Sequence, residues 1–440
     1  MNSINRSILK IAVPSIVVNV TTPLLSLMDV TFTGHMGSAT YLAAIAVGGT
    51  LFNMIYWIFG FLRMGTSGLT AQAYGRSISH TGADRTEVTA TLMRGLILAM
   101  SAGLLIALLQ LPIVSAGLEL MDVDGDTAAA AGRYFLILSA GAPAVLATYV
   151  FTGWLIGMQD SRSPMWMSLS INVVNIAVSF FLVVGLGMKI EGVATGTLVA
   201  QWTGCLMGAA IIWLRHRPAA TSFRLIWDSE ALKKFFRINT DIFFRTLCLV
   251  GVTVWFTRAG ATMGTVTLAV NSVLMQFFYF FSYFMDGFAF AGEALTGRYL
   301  GERDRDRLRS VIMALLRWGL GLGALFSIIY VAAGTVSVDL LTSEIAVREA
   351  SREYIAWIVA VPLAGFTAFT FDGIFIGATM TRSMLLSMFT AMATFFITYF
   401  VLSPSMGNHA LWLAFVLYLA VRGAVLALMS PRLLKFHSHD

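Results

Sequence analysis

GWLIGMQDSRS, residues 153–163, returns as GIFIGATMTRS, residues 373–383. Two further pairs keep the same order: MGSATYLA from Met36 with MGTVTLA from Met263, and GLTAQAYG from Gly68 with ALTGRYLG from Ala294. The second copy follows the first by roughly 220 residues each time, the mark of an internal repeat. The chain is therefore two related halves. In a membrane chain, two halves in the same order suggest two bundles around a shared pathway, as in many secondary transporters.

Composition places the chain in a membrane before any motif is read. Of 440 residues, 58% are hydrophobic and 12% charged, against roughly 25% charged in ordinary soluble domains. Apolar segments long enough to span, about 20 residues, recur between short polar breaks. Six fall in the first half, at 8–33, 41–74, 88–111, 128–158, 164–186 and 190–214. Six more follow at 239–260, 267–300, 311–333, 346–378, 384–402 and 410–429. Those longer than the bilayer is thick are expected to tilt or to project beyond it. The expected fold is an all-α integral membrane protein with twelve transmembrane helices in two pseudo-symmetric six-helix bundles. The expected domains are an N-terminal lobe, 1–214, a linker, 215–238, and a C-terminal lobe with a short tail, 239–440.

Orientation follows from Lys and Arg. With the N-terminus inside, about 21 basic residues fall in cytoplasmic segments and about 5 in external ones. Both termini are then cytoplasmic, and the net charge of +6 reflects topology rather than a nucleic-acid partner. The stretch 1–20 lacks a small-residue cleavage pattern and continues as apolar helix, so it reads as a retained first span. In the linker, Asp228 to Arg237 sets Leu232, Phe235 and Phe236 against Lys233, Lys234 and Arg237, a pattern for a short helix on the inner membrane surface or for a plain connector. The charge run GERDRDRLRS from Gly301 reads as a solvated loop that caps the next helix.

An acid or base inside a bilayer costs at least about 2.5 kcal/mol to insert, so the few present carry most of the information. Six stand out: Asp29, Arg63, Asp286, Glu293, Asp372 and Arg422. Asp241 and Arg245, one turn apart, read as a self-satisfied local pair. Asp29 lies on a helix with Pro14 and Pro23, each of which removes a backbone hydrogen bond and allows a bend. A titratable group on a bendable helix is a switch. Asn172, Asn175 and Ser179 follow i, i+3, i+7 spacing on one helix face, and Thr197 falls at a depth similar to Asp29 and Ser179. Together they are expected to be able to surround a cation or a protonated carboxyl. The plainer readings are that Asp29 caps a neighbouring helix and that the others glue helices together.

In the second half Asp286 and Glu293 are two turns apart on one helix and point the same way. Arg63, on the repeat-equivalent helix, is the expected inter-lobe charge partner of this acidic group; the alternative is that each charge is satisfied within its own bundle. Cys205 and Cys248 are not spaced as a metal or redox pair, and the His residues sit at helix ends, in loops or in the tail. No metal site and no cofactor are expected.

PLLSLMDVTFTGHMG from Pro23, LRMGTSGLTAQAYG from Leu62, GWLIGMQDSRSPM from Gly153, INVVNIAVSFFLV from Ile171, FDGIFIGATMTRSM from Phe371 and GNHALWLAF from Gly407 together resemble the multidrug and toxic compound extrusion (MATE) family. The resemblance is strongest to its bacterial branch named for the DNA-damage-inducible protein F. It covers almost the whole chain. What it implies is a bacterial inner-membrane antiporter with two six-helix lobes and a central cleft, exporting varied, often cationic compounds in exchange for H+ or Na+. By position, Asp29 matches the first-helix acid of the proton-coupled branch, Asn175 its fifth-helix asparagine and Thr197 its sixth-helix threonine. Asp286 and Asp372 match acids of the second lobe. Where many relatives place an Asp, this chain has Ser179, which weakens a Na+ cage because a hard cation favours anionic oxygens. H+ is therefore the expected coupling ion.

The implied partners are small-molecule substrates and the lipid bilayer, and the expected state is a monomer. A flippase for a lipid-linked sugar resembles the same architecture but calls for several basic groups facing the phosphates. An integral membrane enzyme would need paired His ligands or a Ser and His dyad, and none is visible.

Overall fold

Every regular element among the described residues is helical. The computed structural model describes residues 3–34, 39–79, 84–123 and 125–434, and within them the side chains other than those of 22, 24–30, 32–34, 39, 79, 84 and 434. In the first half the helices are α1 (Ser3–Gly34), α2 (Ala39–Ile58), α3 (Phe61–Ser79), α4 (Asp84–Leu108), α5 (Gln110–Leu120), α6 (Gly125–Ser139), α7 (Ala142–Gly157), α8 (Arg162–Phe180) and α9 (Ile190–Ile211). The short α10 (Phe223–Ile226) lies in the linker. The second half holds α11 (Ser229–Thr262), α12 (Thr265–Gly301), α13 (Arg305–Leu341), α14 (Ile345–Gly377), α15 (Thr381–Met406) and α16 (Asn408–Met429).

Ten helices among the described residues are long and apolar enough to cross a membrane, counting Thr40–Ile78 as one span, and the bent pair α6–α7 makes an eleventh. The 32-residue α1 completes twelve. Large apolar side chains such as Leu104, Val173, Leu206, Ile328, Val331 and Ile397 stand exposed. A lipid surface accounts for them; water would not.

Two spans depart from the smooth helices the apolar runs suggest. The second turns at Phe59 and Gly60 between α2 and α3. The fourth is bent by 52° between α6 and α7, ahead of Pro143, whose ring prevents a straight continuation. The break after the third span, read as polar, contains α5, an 11-residue helix that buries Val114 and Gly117. Asp228 to Arg237 does not form a separate interfacial helix: residues from Ser229 on are the first turns of α11. The linker's own helix is α10, fixed from the side by Arg94. That buried guanidinium donates from Nε to the Ile226 carbonyl at 3.0 Å and from Nη2 to the Leu225 carbonyl at 2.5 Å, while Nη1 meets Glu87 at 2.8 Å.

By packing, the chain divides into two units, Val17–Phe235 and Met1–Ile16 with Phe236–Asp440. This division differs from the boundaries 1–214, 215–238 and 239–440 at one telling place. The first turns of α1 belong with the second half, where Gly287 of α12 lies against the Ala12 carbonyl and Ile16. The change of unit falls between Pro14 and Pro23. Each unit has its own core: Phe52, Phe135 and Trp154 in the first, and Phe281, Phe326, Phe395 and Trp412 in the second.

The opening repeat has a structural meaning. Gly153 of α7 abuts the Arg63 carbonyl of α3, and Gly373 of α14 abuts the Ala289 carbonyl of α12, so a Cβ at either would overlap backbone oxygen. Equivalent glycines thus bring equivalent helices into backbone contact. Both helices then end alike, on left-handed Gln159 (φ 63°) and Thr379 (φ 54°). Gly373→Ala is expected to destabilise by about 1 to 3 kcal/mol through overpacking. Gly251→Ala, with nothing within 4 Å of the new carbon, should be neutral or slightly stabilising. Thermal unfolding in detergent checks the contrast.

Candidate functional site

The polar residues of the first unit converge on the contact between α8 and α9. Asn175 Nδ2 donates to Thr197 Oγ1 at 2.7 Å, and Thr197 Oγ1 donates to the Val193 carbonyl at 3.1 Å. Ser179, one turn beyond Asn175, lies at Gly196, where a side chain on α9 would overlap its hydroxyl. Asn175 and Ser179 are both fully buried, and Asn175 Oδ1 and Ser179 Oγ have no hydrogen-bond partner among the described residues. Such atoms normally find one. Two acceptors on one helix face ask for a donor or a cation.

Asn172, on the same helix, donates from Nδ2 to the Thr21 carbonyl of α1 at 3.2 Å. That bond sets the register of two neighbouring spans. The first and fifth spans run in the same direction, so moving eight residues along α1 from Thr21 to Asp29 is about 12 Å. Seven residues along α8, from Asn172 to Ser179, cover nearly the same distance. The backbone of Asp29 is therefore level with Ser179. The Asp29 side chain itself lies outside the described residues.

The second unit holds a different cluster. Asp372 of α14 is buried between Arg245 of α11 and Arg422 of α16, and its Oδ2 accepts a hydrogen bond from each. Asp241 and Arg245 do not form the local pair their spacing suggests. Arg245 turns to Asp372, and Asp241 instead accepts from Thr381 Oγ1 at 2.7 Å. A carboxylate in a low-dielectric bundle draws guanidinium groups from other helices more strongly than an i, i+4 neighbour retains one. Phe369 packs on the Arg422 guanidinium at 5.6 Å. The group carries one net positive charge, and both Nε atoms and Asp372 Oδ1 are left without partners among the described residues. A small cation would meet two fixed positive charges here.

Glu293 is buried on α12, and Asp286, two turns earlier, is half-buried. Arg63 is half-buried on α3. Arg245 is the residue sequence reasoning misplaced. A signal was available: Arg245 and Arg422 are two bases in apolar runs, and Asp372 is an acid in an apolar run of the same half.

The loop after α7 carries a third cluster, outside the spans. Asp160 Oδ2 meets His216 Nε2 at 3.0 Å, accepts from Ser163 Oγ at 2.6 Å and faces Arg215 at 3.4 Å. Burial alone would raise the Asp160 carboxyl, but the hydrogen bonds from His216 and Ser163 and the Arg215 charge outweigh it and hold it at about 2. A lowered native value gives stability that is full above the unfolded value of about 3.8 and is lost as pH falls through about 2. Asp160→Asn should cost about 2 kcal/mol near neutral pH and flatten the acid-side loss between about pH 4 and 2. Unfolding midpoints across that window test it.

Comparison with known proteins agrees with the repeat. The MatE family pattern matches residues 14–181 and again 242–402, one stretch in each half. DNA damage-inducible protein F of Escherichia coli K12 is 37% identical over 431 residues, covering 97% of this chain and 92% of that protein. A probable multidrug resistance protein NorM of Photorhabdus laumondii is 24% identical over 77% of this chain and 74% of its own length. Among solved structures, the bent form of the Vibrio cholerae MATE transporter VcmN superposes with a TM-score of 0.87 at 17% identity, over 98% of this chain and 97% of that one.

Proposed function

Because the chain belongs to the MatE family, we propose that it is a multidrug efflux antiporter that exports varied, often cationic organic compounds in exchange for H+ by alternating access. The observation that carries the coupling site is the pair of buried acceptors on α8, Asn175 Oδ1 and Ser179 Oγ, which have no partner among the described residues; helix rise sets the Asp29 backbone level with them. In this reading a protonated Asp29 donates to that pair, and Thr197 orients the Asn175 amide. Loss of the proton removes the donor and favours the other bend of α1.

Helix α1 suits this coupling because it belongs to both units and changes from one to the other between its two prolines. Proton uptake at Asp29 then bears on a helix that both units share. H+ is favoured over Na+ because the α8 face offers only neutral oxygens. Asp372 does not serve as the cation carrier in this reading, since Arg245 and Arg422 already neutralise it. The same commitment leaves those arginines poorly placed to hold the phosphates of a lipid-linked sugar. The compartment we assign is a bacterial inner membrane, with both termini cytoplasmic.

The test is uptake of a cationic dye into proteoliposomes under an imposed pH gradient or an imposed Na+ gradient. Movement driven by the pH gradient alone supports the proposal. Movement that requires Na+ overturns the assignment of H+.

A further inference from the structure

At one end of the second-half unit, a groove of about 690 Å³ lies between the first turns of α1 and the start of α13. Its volume falls within the roughly 300 to 1,000 Å³ of sites that hold small ligands. Trp318 Nε1 donates to Asn5 Oδ1 at 3.3 Å and ties the two helices together there. Arg309, Met313 and Arg317 recur at four-residue spacing, so they stand on one face of α13, and both arginines are exposed. Among the described residues, neither guanidinium has an acid or a carbonyl as partner.

Depth identifies what such a groove meets. Residues 318–338 carry no charge, and at 1.5 Å per residue they span about 30 Å, the thickness of the hydrocarbon layer. Arg317 therefore lies at its edge, and Arg309, about 12 Å further out, lies among the headgroups. Trp318 sits where aromatic side chains gather at membrane interfaces. Two cations that have no acid partner among the described residues, over a partly apolar floor at this level, match an amphiphile with an anionic head.

We propose that the α1–α13 groove binds an anionic phospholipid, with its phosphate between Arg309 and Arg317 and its acyl chains along α13 beyond Trp318. Because the groove is half built from α1, a seated lipid holds the first turns of that helix on the second-half unit.

The experiment uses the full chain in phosphatidylcholine nanodiscs doped with spin-labelled phosphatidylglycerol or spin-labelled phosphatidylcholine, reading the immobilised fraction of each. The parent should prefer phosphatidylglycerol, and Arg309→Gln/Arg317→Gln should lower that preference by about five-fold per arginine. Arg309→Lys/Arg317→Lys should retain most of it. Arg237→Gln/Arg382→Gln, which removes two exposed basic groups elsewhere on the unit, should leave it unchanged. An unchanged preference in the glutamine variant of the groove, or an equal fall in the Arg237 and Arg382 variant, overturns the proposal. Should the groove variant not fold, phosphatidylglycerol with brominated chains decides. It should quench the parent's tryptophan fluorescence more than brominated phosphatidylcholine does, and Trp318→Phe should remove that difference. Equal quenching by the two lipids overturns the proposal.

Discussion

Asp29→Asn is expected to reduce pH-driven dye export to below about one-tenth of the parent rate while the protein still folds and still binds dye. Asparagine keeps the size of the side chain and can still donate a hydrogen bond to Asn175 Oδ1 or Ser179 Oγ. It cannot exchange a proton. The variant therefore imitates one protonation state permanently, and a transporter held in one state binds without cycling. Dye affinity from fluorescence titration and dye flux in proteoliposomes separate these outcomes. Normal flux in the variant would remove Asp29 from coupling. Asn175→Ala should cut flux less severely, because Ser179 remains to accept from the acid.

Asp372→Ala should have the second largest effect, on stability. It leaves Arg245 and Arg422 buried and facing one another without their shared carboxylate, and breaking a buried ion group from one side costs about 3 to 5 kcal/mol. Thermal unfolding in detergent should show a midpoint lowered by several degrees, with reduced yield of monodisperse protein. Replacing all three together by apolar side chains of similar volume, Arg245→Met, Asp372→Leu and Arg422→Met, should recover most of the loss, since the desolvation cost disappears with the charges. Recovery would identify the cluster as structural. An unchanged midpoint for Asp372→Ala alone would show that the two arginines have other partners.

The two clusters differed in how far the sequence exposed them. Asn172, Asn175 and Ser179 share a face because helical spacing is fixed, and that face was readable from residue order. The repeat was equally legible, and its glycines prove to be where α7 meets α3 and α14 meets α12. Arg245 was misread because a local rule, the i, i+4 ion pair, competes poorly with a buried carboxylate on a distant helix. No one-dimensional pattern shows that α11, α14 and α16 share a core. The change of unit within α1 was hidden for a related reason: apolar periodicity gives a helix its length but not the bundle against which each turn packs. Bends such as that between α6 and α7 were marked only by Pro143 and the glycine before Ala142.

Proton movement coupled to substrate tests the central claim most directly. Proteoliposomes that hold a pH-reporting dye and an imposed pH gradient should lose that gradient faster when a cationic substrate is added, with no Na+ present. The Asp29→Asn variant should show no such response. Substrate transport by the parent without any substrate-dependent proton flux would contradict H+ exchange at the α1–α8 site.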